Sequence, residues 1–472
     1  MFAKFRHSGL LSRGAIALAL AAATAGAALP AHAAKKEKEA AAPAGPKLLM
    51  SKPYMAKAQE LNKALEAART KPEFTAARQK LVAAFNAVGA ARGEKARKAA
   101  VEQRDAVVTE LKGVLAAEIA QFDAVRALEA SPDDKYVSGQ FYVQLGKWVY
   151  DLNWLRMGYE AQINSGKALA ADLPTFEFEA ANACYDIPDW PCAQKHYANA
   201  IALGKRDGNV ELLHADTYFR QNQFAEGTDM VLKAVASRKA ANLPIGPEWY
   251  AQGLNPVFRA KMLPQATALS AGLVSDFPSA TNWSSAIRVQ RYLGGLQGQD
   301  MMDLLRLLKR TGAFEDGNEY VEFVELGDKL RYPPEVLEVL DLGSKAGKLN
   351  VESDISLKEI KASAVLHDKE DRAGIAGMET RAKSATATPA AVNAAADVML
   401  TYGQAAKAEE LYNLALAKPG LDRDRILTRL GIAQIDQGKF AEAQATFAKV
   451  GGVRTNLAKL WSIYAAQKAK GG

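Results

Sequence analysis

The chain has 472 residues, 60 Lys and Arg against 53 Asp and Glu, a formal net charge of +7 and only two cysteines. That mild positive excess on so long a chain argues against nucleic acid as a partner. The length leaves room for two or three ordinary domains or for one long repeat array.

Lys4, Arg6 and Arg13 form a positive start without an acidic residue, followed by an apolar run over residues 15–29, Pro30, and Ala31-His32-Ala33. This is the pattern of a secretory signal peptide over residues 1–33, with cleavage predicted after Ala33. The apolar run falls short of the roughly 20 residues a membrane span needs, and no later segment is apolar enough to span a bilayer. No cysteine stands at the cleavage point, which speaks against a lipoprotein. The expected product is an exported, periplasmic chain of 439 residues. Losing three basic residues lowers its charge from +7 to +4.

Residues 34–47, A-K-K-E-K-E-A-A-A-P-A-G-P-K, offer nothing apolar to bury and read as a disordered linker. Residues 48–131 are rich in Ala, Lys, Glu, Leu and Arg, with Pro53 and Pro72 as the only breakers, and predict an N-terminal helical region. Its basic residues, Lys95, Arg97, Lys98, Arg104 and Lys112, are interleaved with Glu94, Glu102, Asp105 and Glu110, and strand signals are nearly absent from the chain.

Residues 181–200, A-N-A-C-Y-D-I-P-D-W-P-C-A-Q-K-H-Y-A-N-A, overlay the stretch from Ala215, A-D-T-Y-F-R-Q-N-Q-F-A-E-G-T-D-M-V-L-K-A, at a shift of 34. Ala181 then meets Ala215, Cys184 meets Tyr218, Trp190 meets Phe224 and Ala193 meets Gly227. A small residue recurs at Gly158, Ala193, Gly227, Ala266, Gly374, Ala408 and Ala443, with Met301 and Val336 departing from the pattern at the two places between. The intervals run from 34 to 39 residues, the period of a helical repeat array. With Leu145-Gly146, and with Leu430-Gly431 followed by Phe440, Ala443 and Phe447, this resembles the tetratricopeptide repeat, a pair of antiparallel helices with small residues where they cross. The resemblance covers residues 132–452 and implies an all-α fold: an α-solenoid of about nine TPR-like helix hairpins, preceded by the N-terminal helices. Residues 453–472 are expected to supply a capping helix and a tail. Stacked hairpins bury apolar surface that a lone hairpin cannot, and generate a concave inner face.

In that repeat register Cys184 falls near the end of a first helix and Cys192 in the first turn of the second. Asp189 is the expected N-cap between them and Pro191 an early helical residue. Three readings stand: a structural disulfide, two free thiols in a core, or chemistry. The disulfide is favoured in an oxidising compartment, because C-x-x-C is absent, a metal would have only His196 as a nearby third ligand, and a nucleophile lacks a base. The chain is therefore expected to hold no metal. His214 falls at a packing position. The spacing of the aromatics from Tyr136 to Tyr159 suits packing faces, so most are expected in the core, with one or two left for a contact patch.

Motifs for catalysis or cofactors are not evident. Residues 343–348, G-S-K-A-G-K, are one residue short of a phosphate loop and fit a helix end. Residues 367–371, H-D-K-E-D, read as a solvated turn between helices. The resemblance to tetratricopeptide proteins therefore implies a non-enzymatic scaffold that binds a protein or peptide, without a cofactor. Inner-face positions of the family fall on Asn182, Tyr185 and Asp186 in one repeat and on Asp216, Phe219 and Arg220 in the next. W-S-S-A-I-R-V-Q-R-Y-L-G-G and K-A-G-K-L, within residues 282–349, are similar to segments of periplasmic repeat proteins associated with TonB-type systems. They point to an envelope protein or peptide as partner, and envelope assembly is a second setting for such a scaffold. The contrasting class is a small-ligand binder or enzyme with its site in residues 48–131. The absence there of histidine, cysteine and glycine-rich turns counts against it.

Overall fold

The computed structural model describes residues 46–471, and among these every regular element is helical. The expected signal peptide, and the expected linker as far as residue 45, lie outside the described residues. No helix among the described residues is long and apolar enough to cross a membrane. The chain divides into two compact units, Met1–Gln221 and Asn222–Gly472.

In the first unit, α1 (Lys52–Arg69), α2 (Pro72–Ala90), α3 (Glu94–Val114) and α4 (Ala116–Arg126) precede two helix hairpins. These are α5 (Pro132–Val149) with α6 (Leu152–Asn164), and α7 (Leu173–Asp186) with α8 (Trp190–Ala202); α9 (Val210–Arg220) follows. Pro53 and Pro72 break nothing: each lies in the first turn of its helix, where a missing N–H removes no intrahelical bond. Tyr54, Leu61, Leu81 and Phe122 from the N-terminal helices share one buried core with Phe141, Tyr142 and Leu145 of α5. Ser131 and Asp134 form a capping box at the start of α5, and the Asp134 carboxylate also accepts from the Ser51 backbone N–H at 3.0 Å. This bond ties the entry of α1 to the entry of α5.

α5 and α6 cross at Gly139 and Gly158. A Cβ on either would lie 2.7 Å from the carbonyl oxygen of the other, so the close approach demands glycine on both sides. Gly158 is the small residue that the repeat register places at a helix crossing.

In the second unit α10 (Phe224–Ala240) leads to α11 (Glu248–Arg259) with α12 (Leu263–Asp276), α13 (Ala280–Leu293) with α14 (Gln299–Arg310), and α15 (Gly317–Gly327) with α16 (Pro333–Lys345). After α17 (Ile355–Ala382) come α18 (Pro389–Thr401) with α19 (Ala405–Leu416), α20 (Arg423–Asp436) with α21 (Phe440–Phe447), and α22 (Thr455–Ala469). Gly431 of α20 lies beneath Phe447 of α21, where a Cβ would come within 2.5 Å of the ring, so the most specific part of the repeat signature is a packing contact.

The turn expected at residues 367–371 is not there: α17 runs unbroken for 28 residues, and Gly374 is exposed with nothing within 4 Å of a Cβ. No proline or glycine occurs between Ile355 and Ala373, and Asp368 accepts from Arg372 one turn on at 2.8 Å. A charge run with such pairs sustains a helix rather than ending it. A single long helix thus takes the place of one expected hairpin.

A solenoid repeat is expected to touch only its neighbours, and the second unit departs from this. Its last helix, α22, returns to α12 and α14: Gln467 donates to the Val274 carbonyl at 2.6 Å and Trp461 to the Asp303 carbonyl at 3.1 Å, across 193 and 158 residues of sequence. Leu457, Leu460 and Trp461 of this helix are buried.

Candidate functional site

The expected inner-face residues come together in part. Tyr185, on α7, donates its hydroxyl to the Asp216 carboxylate on α9, and Arg220 Nε donates to the same oxygen at 3.1 Å. Edge-to-face packing on Trp190, centroids 5.3 Å apart, fixes the Tyr185 ring. Asn182 accepts from the Tyr197 hydroxyl at 2.8 Å and so faces across its own hairpin. Asp186 is half-buried and Arg220 exposed. Two places require a correction: Asp216 is only 8% exposed and the Phe219 ring only 5%, so neither stands open to a partner. In this register an apolar side chain of that size gains more from core burial than from water.

Below this face Cys184 and Cys192 are bonded, with Cα atoms 5.7 Å apart. Asp189 caps α8 by accepting from the Cys192 N–H, and a proline lies in that first turn, as expected. His196 is buried between two glutamates. Its Nδ1 lies 2.5 Å from Glu177 and its Nε2 3.4 Å from Glu160. Burial works against its charged form, but the hydrogen bonds and charges of Glu160 and Glu177 outweigh it and push the imidazole up to about 9. His214 has the opposite fate: burial among apolar neighbours pushes it down to about 4, which fits a packing residue.

The second unit holds a further polar constellation, and it is buried. Asp303 of α14, 0% exposed, accepts from Arg306, Arg429 and Arg454 at 2.6, 3.1 and 2.9 Å. Arg306 grips Glu335 with two bonds of 2.9 and 2.7 Å, and Arg429 reaches Asp397, Tyr332 and Gln299. Burial alone would raise the acids, but the guanidinium groups around them prevail: Asp303 lies well below the carboxylate range and Glu335 at about 2. The signal was present in M-M-D-L-L-R-L-L over residues 301–308, where an acid and a base interrupt a stretch apolar on every side. Such charges are buried and need partners, but the partners lie up to 151 residues away.

Beside this cluster a cleft of about 190 Å³ is lined by residues of α14, α16, α18 and α20. Each of its cations is matched by an acid: Arg306 with Glu335, Lys309 with Glu338, Arg310 with Asp436. Its lining is balanced in charge, which suits polar contact better than capture of an anion.

No protein-family model matches the chain, and no curated protein matches it. Among solved structures it is similar to Naa15/Naa10 bound to HypK-THB, at 13% identity over 89% of this chain and 73% of that one, TM-score 0.28. It is also similar to the pentatricopeptide repeat protein PPR10 from maize, at 12% identity over 89% and 67%, TM-score 0.27. The complex of the TPR2AB domain of yeast Sti1 with pHSP90 is 14% identical over 64% and 97%, TM-score 0.23. The hairpins of the chain itself, with their small residues at the crossings, decide the architecture. It is an all-α array of helix hairpins.

Proposed function

We propose that the chain is a non-enzymatic scaffold that binds a protein or peptide partner through the face formed by α7 and α9. The observation that carries this reading is the convergence of Tyr185, Asp216 and Arg220 from the first helices of successive repeats. Held in place by their own hydrogen bonds, these side chains lose little freedom when a partner arrives. Tyrosine and arginine are also the residue types that most often carry interface energy. The exposed Arg220 guanidinium suits a carbonyl or carboxylate of the partner, and half-buried Asn182 and Asp186 suit a peptide backbone.

The setting we infer is the periplasm, with an envelope protein or peptide as partner in a TonB-type or envelope-assembly system. The leader-like residues 1–33 and the segments within residues 282–349 support it. The test is crosslinking in intact cells, recovery of the chain and mass spectrometry of what comes with it. Recovery of a small set of envelope proteins, lost on combining Tyr185→Ala with Arg220→Glu, is expected. Partners that persist in the double variant would overturn the assignment of the face.

A further inference from the structure

The sequence offers three metal-binding side chains in one hairpin, and three donors of that kind are short of a closed site. The fold supplies a fourth. Glu160 arrives from α6, and its Oε1 lies 3.4 Å from His196 Nε2 and 4.0 Å from Cys192 Sγ. The two sulfurs and a ring nitrogen of His196 all lie within 4.8 Å of one another.

These spacings resemble the edges of a zinc tetrahedron. Zinc–ligand bonds of about 2.3 Å to sulfur and about 2.0–2.2 Å to nitrogen and oxygen, at tetrahedral angles, put ligands about 3.4 Å (N to O), 3.6 Å (S to O) and 3.8 Å (S to S) apart. The sulfurs must move apart, which Cα atoms 5.7 Å apart allow by side-chain rotation, and the Glu160 carboxylate must close on them from 4.0 Å at Cys192. The surroundings fit as well. Glu177 holds His196 Nδ1 at 2.5 Å, and Asn199 donates to its other oxygen at 3.2 Å, so the imidazole is fixed with Nε2 toward Glu160. A carboxylate on the far nitrogen of a histidine is the usual outer support of a zinc ligand. Cys184 and His196 are buried while Glu160 and Cys192 are partly open, which gives an ion a way in.

We propose that, once the Cys184–Cys192 disulfide is reduced, Cys184, Cys192, His196 and Glu160 bind one zinc ion, with Glu177 as the residue that orients the imidazole. The hairpin then has two closed states, disulfide and metal, that use the same sulfurs. A dithiol reductant delivers two electrons and two protons to the S–S bond and becomes a disulfide itself. When zinc binds, each thiol releases its proton, and any proton on His196 Nε2 leaves with them. This inference is independent of the partner-binding reading.

The test is a cobalt(II) titration of the purified chain before and after reduction by a phosphine, followed by displacement with zinc in the presence of a chromophoric chelator. Expected for the reduced chain is one equivalent of cobalt with a thiolate charge-transfer band and tetrahedral ligand-field bands, bleached by zinc. The oxidised chain is expected to show neither. His196→Ala and Glu160→Gln should each weaken zinc at least about 10-fold, and Glu177→Gln should do so within the roughly 10- to 100-fold range of outer-shell changes. Circular dichroism confirms that each variant is folded. A reduced chain that binds cobalt no better than the oxidised one overturns the proposal. So does a folded His196→Ala variant with unchanged affinity and spectrum. If Glu160→Gln alone leaves both unaltered, the four-ligand assignment is wrong.

Discussion

Arg429→Ala should unfold the second unit more readily than any other truncation at the buried cluster. Arg429 is 1% exposed and bonds Asp303, Asp397, Tyr332 and Gln299. Without it, Asp303 keeps Arg306 and Arg454, but Asp397 keeps only the Tyr412 hydroxyl and Arg331, 3.8 Å away and partly solvated. Removing one member of a buried ion pair typically costs about 3–5 kcal/mol, because a charge remains without compensation. For a domain of this size each kcal/mol shifts Tm by roughly 2–4 °C, so a fall of about 6–20 °C is expected. Calorimetry reads the shift, and urea unfolding followed by tryptophan fluorescence reads the free energy, with buried Trp461 bonded to Asp303 as a nearby reporter. Arg331→Ala is the control: it touches the same Asp397 from the surface and should cost less than about 1 kcal/mol. If the two variants are equally mild, the cluster does not hold α14 to α20, and the physical reading of the second unit fails.

Acid should act on the same cluster. Glu335 lies at about 2 in the folded chain, against the usual value near 4.5, so the folded state holds fewer protons between those values. The stability it contributes is complete above about pH 4.5 and is lost as pH falls toward 2; urea midpoints across that range check this, and Glu335→Gln should flatten the dependence. Gly158→Ala forces a methyl to 2.7 Å from the Gly139 carbonyl oxygen and should cost about 1–3 kcal/mol in the first unit, measured by urea unfolding. Cys184→Ser with Cys192→Ser, compared with the oxidised parent in the same assay, should cost at most about 2.5 kcal/mol, because the bridge closes a small loop.

What was legible in the sequence was local. The hairpin of Cys184 and Cys192 could be read because Asp189 and Pro191 are chemical instructions for starting a helix, and the spacing to Ile187 and Pro188 fixes the turn. Gly158 and Gly431 could be read because a backbone crossing tolerates only a small side chain. The turn at residues 367–371 was misread because periodicity was extended through a charge run that forms i, i+4 pairs. The Asp303 cluster was beyond reach for a different reason. Its acids and bases come from α14, α16, α18, α20 and the segment before α22, and nothing in any one of those segments names the others. Glu160 was missed likewise: it lies 36 residues before His196, in the preceding repeat, and only the stacking of hairpins brings the two together.

The proposed binding face is best tested by quantitative crosslinking in intact cells, comparing the parent chain with Tyr185→Ala/Arg220→Glu and with the buried-core control Phe219→Leu. The proposal predicts a defined partner set that the double variant loses and the control retains. The same partners recovered with all three chains would contradict it.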